Sequence, residues 1–172
     1  MKVYLGTDHA GFALKEKLKR YLADEGHEVE DMGAHSLNDQ DDYPDFIRLV
    51  AEAVARDDEG LAPSGSTALP PNGRGSPLGG GTAGESRGVV LGGSGQGEAM
   101  VANRIRGVRA AVYYGGDKEI IVLSREHNDA NILSLGARFL SDEEAKSVVK
   151  LWLETEFKGE ERHVRRIKKI DD

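Results

Sequence analysis

A strand that runs into glycine and reopens as a helix constrains this chain more than any other stretch. Val89-Val90-Leu91 is a short apolar run, Gly92-Gly93-Ser94-Gly95-Gln96-Gly97 follows it, and Glu98 opens a segment of helix-forming residues. Glycines without a Cβ let the backbone turn tightly and approach a ligand, and the free N–H groups at a helix start attract an anion or a developing oxyanion. The loop therefore reads either as a cradle for negative charge, with the Glu98 carboxylate on its lip, or as a turn kept for packing. Three familiar motifs do not fit it. A P-loop needs Gly-Lys-Ser/Thr where Gly97-Glu98 stands, a nucleophile elbow needs glycine at Gln96, and a dinucleotide fingerprint has wider glycine spacing and sits in the first βα turn.

The same alternation extends along the chain. Met1 to Gly6 reads as a strand, Thr7-Asp8-His9-Ala10-Gly11 as the turn after it, and Phe12, Leu14, Leu18, Tyr21 and Leu22 recur at helical spacing. Gly26 ends that helix and His27 to Asp31 is a second strand. After a polar loop from Met32 to Asp42, Pro44 in a first turn opens a helix to about Arg56. Beyond the glycine loop the pattern predicts a helix ending near Gly107, a strand over 108–112, a helix over 117–126 and a strand over 132–135. Ser141 with Glu144 three residues on is a capping box for the next helix, and a charged terminal helix starts at Lys158. The predicted fold is α/β: a single-domain, Rossmann-like three-layer sandwich with a parallel five-stranded sheet, helices on both faces and sites at the carboxyl ends of strands.

One segment breaks the alternation. Pro63, Pro70, Pro71 and Pro77 fall among Gly, Ser, Thr and Ala between the second helix and the Val89 strand. Such a composition buries too little to offset its ordering entropy. Residues 58–87 are therefore expected as a flexible, catalytically neutral insertion within one domain spanning 1–172, with a lid as the alternative.

Composition narrows the partners. A chain of 172 residues with 38% hydrophobic side chains can build one proper core, and a net charge of -7 argues against a broad basic face for nucleic acid or membrane. Without cysteine there is no disulfide, thiolate metal site or cysteine nucleophile. The five histidines lack paired spacing and an acidic cluster to join them, so no metal is expected. The N-terminus enters a strand directly and no apolar run reaches membrane-spanning length, which points to a cytoplasmic protein.

Polar residues placed in the turns form a candidate site. The turn after the first strand supplies Asp8 and His9, the glycine loop supplies Ser94 and Glu98, and the turn after the 117–126 helix supplies His127 and Asn128. Each has a simpler use: Asp8 as a helix cap, His127-Asn128-Asp129 as a turn, Glu98 as an acid favoured by the helix dipole. Arg162 and Arg166, four apart on the last helix, share a face that suits a phosphate clamp or a solvated basic surface.

Together these stretches resemble the type B ribose-5-phosphate isomerases, a family that includes the subunits of galactose-6-phosphate isomerase. The resemblance is carried by Gly6-Thr7-Asp8-His9-Ala10-Gly11, Asp42-Tyr43-Pro44-Asp45, Gly92 to Glu98 with Ala102-Asn103, Gly107-Val108-Arg109-Ala110-Ala111, Arg125 to Asn131, Gly136-Ala137-Arg138 and Arg162-His163. It implies reversible isomerisation of ribose 5-phosphate and ribulose 5-phosphate through a cis-enediolate, without cofactor or metal. Many members place a cysteine where this chain has Gly92, while a subgroup uses a glutamate matching Glu98; this chain is similar to the latter. On that resemblance Glu98 is the base, Ser94 with the amides around Gly93, Gly95 and Gly97 holds the enediolate oxygens, and His127 assists ring opening. Asp8, His9, Tyr43 and Asn128 bind the sugar, and Arg138, Arg162 and Arg166 grip the phosphate beside His163. Family members are homodimers with sites between subunits, and a tetramer is the alternative assembly. The insertion is absent from the family core. Two other functions remain open at this point: isomerisation of a six-carbon sugar phosphate such as galactose 6-phosphate or allose 6-phosphate, and a phosphosugar-binding module without catalysis.

Overall fold

A computed structural model of the chain describes residues 1–58 and 86–170. Five strands, β1 (Lys2–Thr7), β2 (Glu28–Asp31), β3 (Ser86–Gly92), β4 (Ala110–Tyr113) and β5 (Ile132–Gly136), form one sheet in the order β2-β1-β3-β5-β4. All pairings are parallel, with Leu5 beside Val89, Thr7 beside Leu91 and Gly92 beside Gly136. Among the described residues six helices accompany it: α1 (Phe12–Asp24), α2 (Tyr43–Asp58), α3 (Gln96–Ala102), α4 (Glu119–Glu126), α5 (Asp142–Glu154) and α6 (Glu161–Ile167).

Strand periodicity divides the core into two layers, because successive side chains point to opposite faces. Val3, Leu5, Val89, Leu91, Leu133 and Leu135 pack with α1, α4 and α5 around the fully buried Trp152. Tyr4, Val90 and Ile132 face the other way, onto Ile47, Val50 and Val54 of α2 and Ala102 of α3. Each such Leu, Val or Ile contributes about 1.5–3 kcal/mol by leaving water. The three-layer sandwich predicted from the alternation is the observed one.

The boundaries differ in places where polar side chains intervene. Strand β4 starts at Ala110 rather than 108, because the Arg109 amide is taken by Asn131 Oδ1 at 2.8 Å and Val108 closes a turn on Ile105. Helix α3 stops at Ala102, and Asn103 uses its side chain to hold both the amide and the carbonyl of Ala110. The terminal helix begins at Glu161, since Gly159 at φ +65° turns the chain just before it. The capping box is formed as expected, with the Glu144 amide donating to Ser141 Oγ at 3.2 Å. Of the expected 58–87 insertion, Asp58 belongs to α2, and Ser86 and Arg87 begin β3; the rest, 59–85, lies outside the described residues. Among the described residues no helix is long and apolar enough to cross a membrane.

Candidate active site

The carboxyl ends of β1 and β3 lie side by side. Thr7 Oγ1 donates to the Leu91 carbonyl at 2.9 Å, which ties the turn carrying Asp8 and His9 to the glycine loop. The chain leaves β1 toward β2 on one side and leaves β3 toward β4 on the other, so the strand order switches between these two parallel neighbours and a crevice opens there. That crevice is a cleft of about 330 Å³ lined by Asp8, His9, Ala10, Tyr43, Gly93, Ser94, Gly97, Glu98, Arg138 and Phe139.

The glycine loop is shaped by what surrounds it. Gly95, at φ +77°, caps α3 in the left-handed region, and its carbonyl accepts Ser134 Oγ at 2.6 Å from the neighbouring strand β5. The Ala137 and Arg138 amides reach back to the Gly92 and Gly93 carbonyls at 2.8 and 3.2 Å. The Arg138 guanidinium therefore lies directly over Gly93, and the Tyr43 ring closes against Gly97. Ser94 stays at the cleft surface, its Oγ accepting from the Gln96 amide at 3.3 Å.

Glu98, in the first turn of α3, is only 5% exposed and folds its carboxylate back beneath the strand end, into the space that a side chain at Gly92 would occupy. Burial raises its pKa above the usual glutamate value, and the nearby Asp8 carboxylate adds to the rise against an opposing backbone hydrogen bond. The group is thus an ionisable base whose proton affinity the fold has increased. Asp8 is itself buried and accepts the Ala10 amide at 3.0 Å, so it shapes the turn as well as facing the cleft.

His9 has a partner from the polar loop over Met32 to Asp42. Asp41 Oδ1 accepts from His9 Nδ1 at 2.7 Å and from the His9 amide at 3.0 Å. Asp8, His9 and Asp41 are the one group among the described residues with three potential metal donors close together. Asp41 already engages the ring nitrogen the cluster would offer, so we read it as a hydrogen-bonded group. The available signal was the acidic run Asp39 to Asp42 just ahead of Tyr43.

His127 and Asn128 do not join this cleft. In a parallel sheet each helix runs back against the strands, so the turn after α4 lies at the amino ends, the opposite side from Glu98. Grouping that turn with the turns that follow strands is corrected by this geometry. The length of β3, seven residues, separates the two ends by roughly 20 Å. At that far end His127 stacks on His163 with ring centroids 4.3 Å apart. Arg162 Nε donates to both Glu160 Oε2 and His163 Nε2, at 2.9 and 3.1 Å. Burial, His127 and Arg162 lower the His163 pKa, and accepting a hydrogen bond from Arg162 Nε–H at Nε2 requires that nitrogen to be unprotonated. Arg162 and Arg166 are exposed on α6, while Asn128 lines a separate groove beside β4. The described residues of a single chain therefore place one polar cluster at each end of the sheet.

The sequence pattern of the family described as Ribose/Galactose Isomerase matches residues 3–67 and 81–170. The chain belongs to this family. Ribose-5-phosphate isomerase B of Mycolicibacterium paratuberculosis is 35% identical over 97% of the chain and 87% of the relative. The crystal structure of ribose-5-phosphate isomerase B from Mycoplasma genitalium with bound ribulose-5-phosphate has a TM-score of 0.79 at 31% identity, covering 98% of this chain and 93% of that one. Ribose-5-phosphate isomerase B from Clostridium thermocellum has a TM-score of 0.78 at 37% identity, covering 99% and 95%. The similarity to these isomerases thus covers nearly the whole chain.

Proposed function

We propose that this chain interconverts ribose 5-phosphate and ribulose 5-phosphate, with Glu98 as the base. The observation that carries this reading is the buried Glu98 carboxylate beside the glycine loop, its proton affinity raised by burial. Glu98 takes the proton from C2 of the open-chain aldose, and the C2 electron pair makes the enediolate as the C1 carbonyl oxygen becomes negative. The O2 hydroxyl proton passes to O1, and Glu98 returns its proton to C1 to leave the ketone at C2. Gly93, Ser94 and Gly97 line the cleft where the two oxygens would sit, which suits the Ser94 hydroxyl and the loop backbone there as donors to the developing charge. Asp8, His9 and Tyr43 hold the sugar hydroxyls and Arg138 adds a fixed cation over the loop.

The far cluster gives the same reading its assembly. Arg162 and Arg166 supply two exposed guanidiniums suited to a phosphate, with His127 and His163 beside them, yet they stand at the wrong end of their own sheet. A second copy that laid this end against the cleft would complete the site, so the working enzyme is a homodimer whose subunits exchange these groups. The direct test is an isomerase assay on ribose 5-phosphate with wild type and Glu98→Gln. We expect turnover in the wild type and a loss of about 100- to 10,000-fold in the variant, the usual contribution of a general base. Glu98→Gln turning over like wild type would remove Glu98 from the mechanism. A higher kcat/KM for galactose 6-phosphate or allose 6-phosphate would reassign the substrate while keeping the chemistry.

A further inference from the structure

We propose that Asp41 is the positioning residue for His9: it fixes the ring with Nδ1–H turned onto its carboxylate and leaves Nε2–H as the donor presented to the substrate. The inference rests on reading the cleft as the isomerase site, and it concerns a residue outside the set that the family resemblance supplies. One carboxylate oxygen takes both the ring N–H and the backbone N–H of the same residue, at 2.7 and 3.0 Å, which restricts the ring and its backbone together. The Asp41 side chain is 8% exposed while that of His9 is 31% exposed, so the anion sits behind the ring and the ring faces the cleft. Asp41 Oδ2 is buried without a hydrogen-bond partner. A carboxylate so placed needs a neighbouring cation, and a protonated His9 is in contact with it.

The fold brings Asp41 there by design of the loop after β2. The Thr7 amide donates to the Gly33 carbonyl at 2.9 Å and the Ala34 amide to the Thr7 carbonyl at 2.8 Å, fastening that loop to the end of β1. Lys15, fully buried in α1, donates to the Ala34 carbonyl at 2.8 Å and to both oxygens of Asp31 at 2.6 Å. The loop start is thus held by three hydrogen bonds, two with β1 and one with α1, before it reaches Asp41.

The charges around His9 favour a protonated ring. Asp41 and Asp39 face it from the loop after β2, and Asp8, its neighbour in the turn after β1, brings Oδ2 to 4.0 Å from Nδ1. Across the cleft stand Glu98 from α3, Tyr43 from α2 and Arg138 from the turn after β5. The hydrogen bond to Asp41 is the largest cause raising the His9 pKa, opposed by partial burial and helped by Asp8. Such a donor has a clear use. The enediolate is an anion formed in a cleft that also holds the Asp8 carboxylate, and an Nε2–H on a sugar oxygen offsets that charge as it develops.

Asp41→Asn is the informative change, because asparagine keeps the shape and an oxygen that can accept from the His9 amide while removing the charge. The full-length protein would be followed by nitrogen-15 NMR of the histidine rings across pH, alongside kcat and KM for ribose 5-phosphate. Expected in wild type are a protonated His9 Nδ1 and a titration above the ordinary histidine value. In the variant that titration falls toward the ordinary value and kcat drops by about tenfold, the difference between a charge-assisted and a neutral hydrogen bond. KM should change less. Unchanged His9 titration and unchanged kcat in the variant would overturn the proposal. A wild-type His9 that titrates at the ordinary value would overturn it as well, and this measurement decides even if the variant does not fold. A wild type inactive on every sugar phosphate but with His9 titrating high would support the Asp41–His9 pair and defeat the isomerase reading instead.

Discussion

Gly92→Ala isolates the position of the Glu98 carboxylate from its chemistry. The added methyl would lie 2.7 Å from Oε2 and closer still to Oε1 and Cδ, so the two groups cannot share the site. Non-bonded carbon and oxygen atoms settle at about 3.5 Å, so the carboxylate must retreat by roughly 1 Å or more. The strand cannot yield in its place: β3 is paired on both sides and the Gly92 carbonyl accepts the Ala137 amide at 2.8 Å. A misplacement of about 1 Å at a reacting group costs on the order of 100-fold, or about 2.7 kcal/mol of barrier. Stability should hold within about 1 kcal/mol, because Gly92 is outside the left-handed region and alanine there restricts the unfolded chain. The assay is kcat/KM on ribose 5-phosphate paired with a thermal melt. A folded variant within about threefold of wild-type kcat/KM would refute the idea that this carboxylate location is the reacting one.

Two further outcomes follow from the same geometry. Because burial raises the Glu98 pKa, its contribution to stability is present below the ordinary glutamate value and is lost as pH rises through the raised one. Glu98→Gln should therefore melt above wild type at neutral pH and match it below about pH 4, and wild-type kcat/KM should fall on the acid side at a pH above the ordinary glutamate range; a variant less stable at pH 7 would contradict this account. Mixing inactive Glu98→Gln with inactive His127→Ala subunits tests the shared site: in a randomly exchanged two-fold dimer half the molecules are mixed and half of their sites intact, giving about a quarter of wild-type activity. No recovery after proven subunit exchange would mean that each site draws Glu98 and His127 from the same chain.

Much of the fold is legible in the sequence because it is written locally. The apolar runs, the Ser141–Glu144 cap and the Gly26 and Gly95 turns each act over a few residues, and the alternation of strand and helix implies a parallel sheet with crevices at its carboxyl ends. The cleft trio of Asp8, Ser94 and Glu98 follows directly, since all three come after strands that end together. His127 is different: it follows a helix and precedes a strand, so it lies at the amino ends of the sheet, away from the turns that follow strands. Asp41 had no local signature beyond an acidic run. Its contact with His9 depends on Lys15, Thr7 and Gly33 fastening a loop across the end of another strand.

The amino-acid sequence by itself determined the βα alternation, the glycine loop and the presence of Glu98 at its lip in a chain without cysteine, because these depend on residue identity and backbone preferences within one segment. Only the tertiary structure decided that Glu98 is buried enough to raise its proton affinity, that Asp41 stands behind His9, and that the histidine–arginine cluster sits at the opposite end of the sheet. Those are matters of which distant segments share a space, and strand order, crossover direction and long-range hydrogen bonds set them.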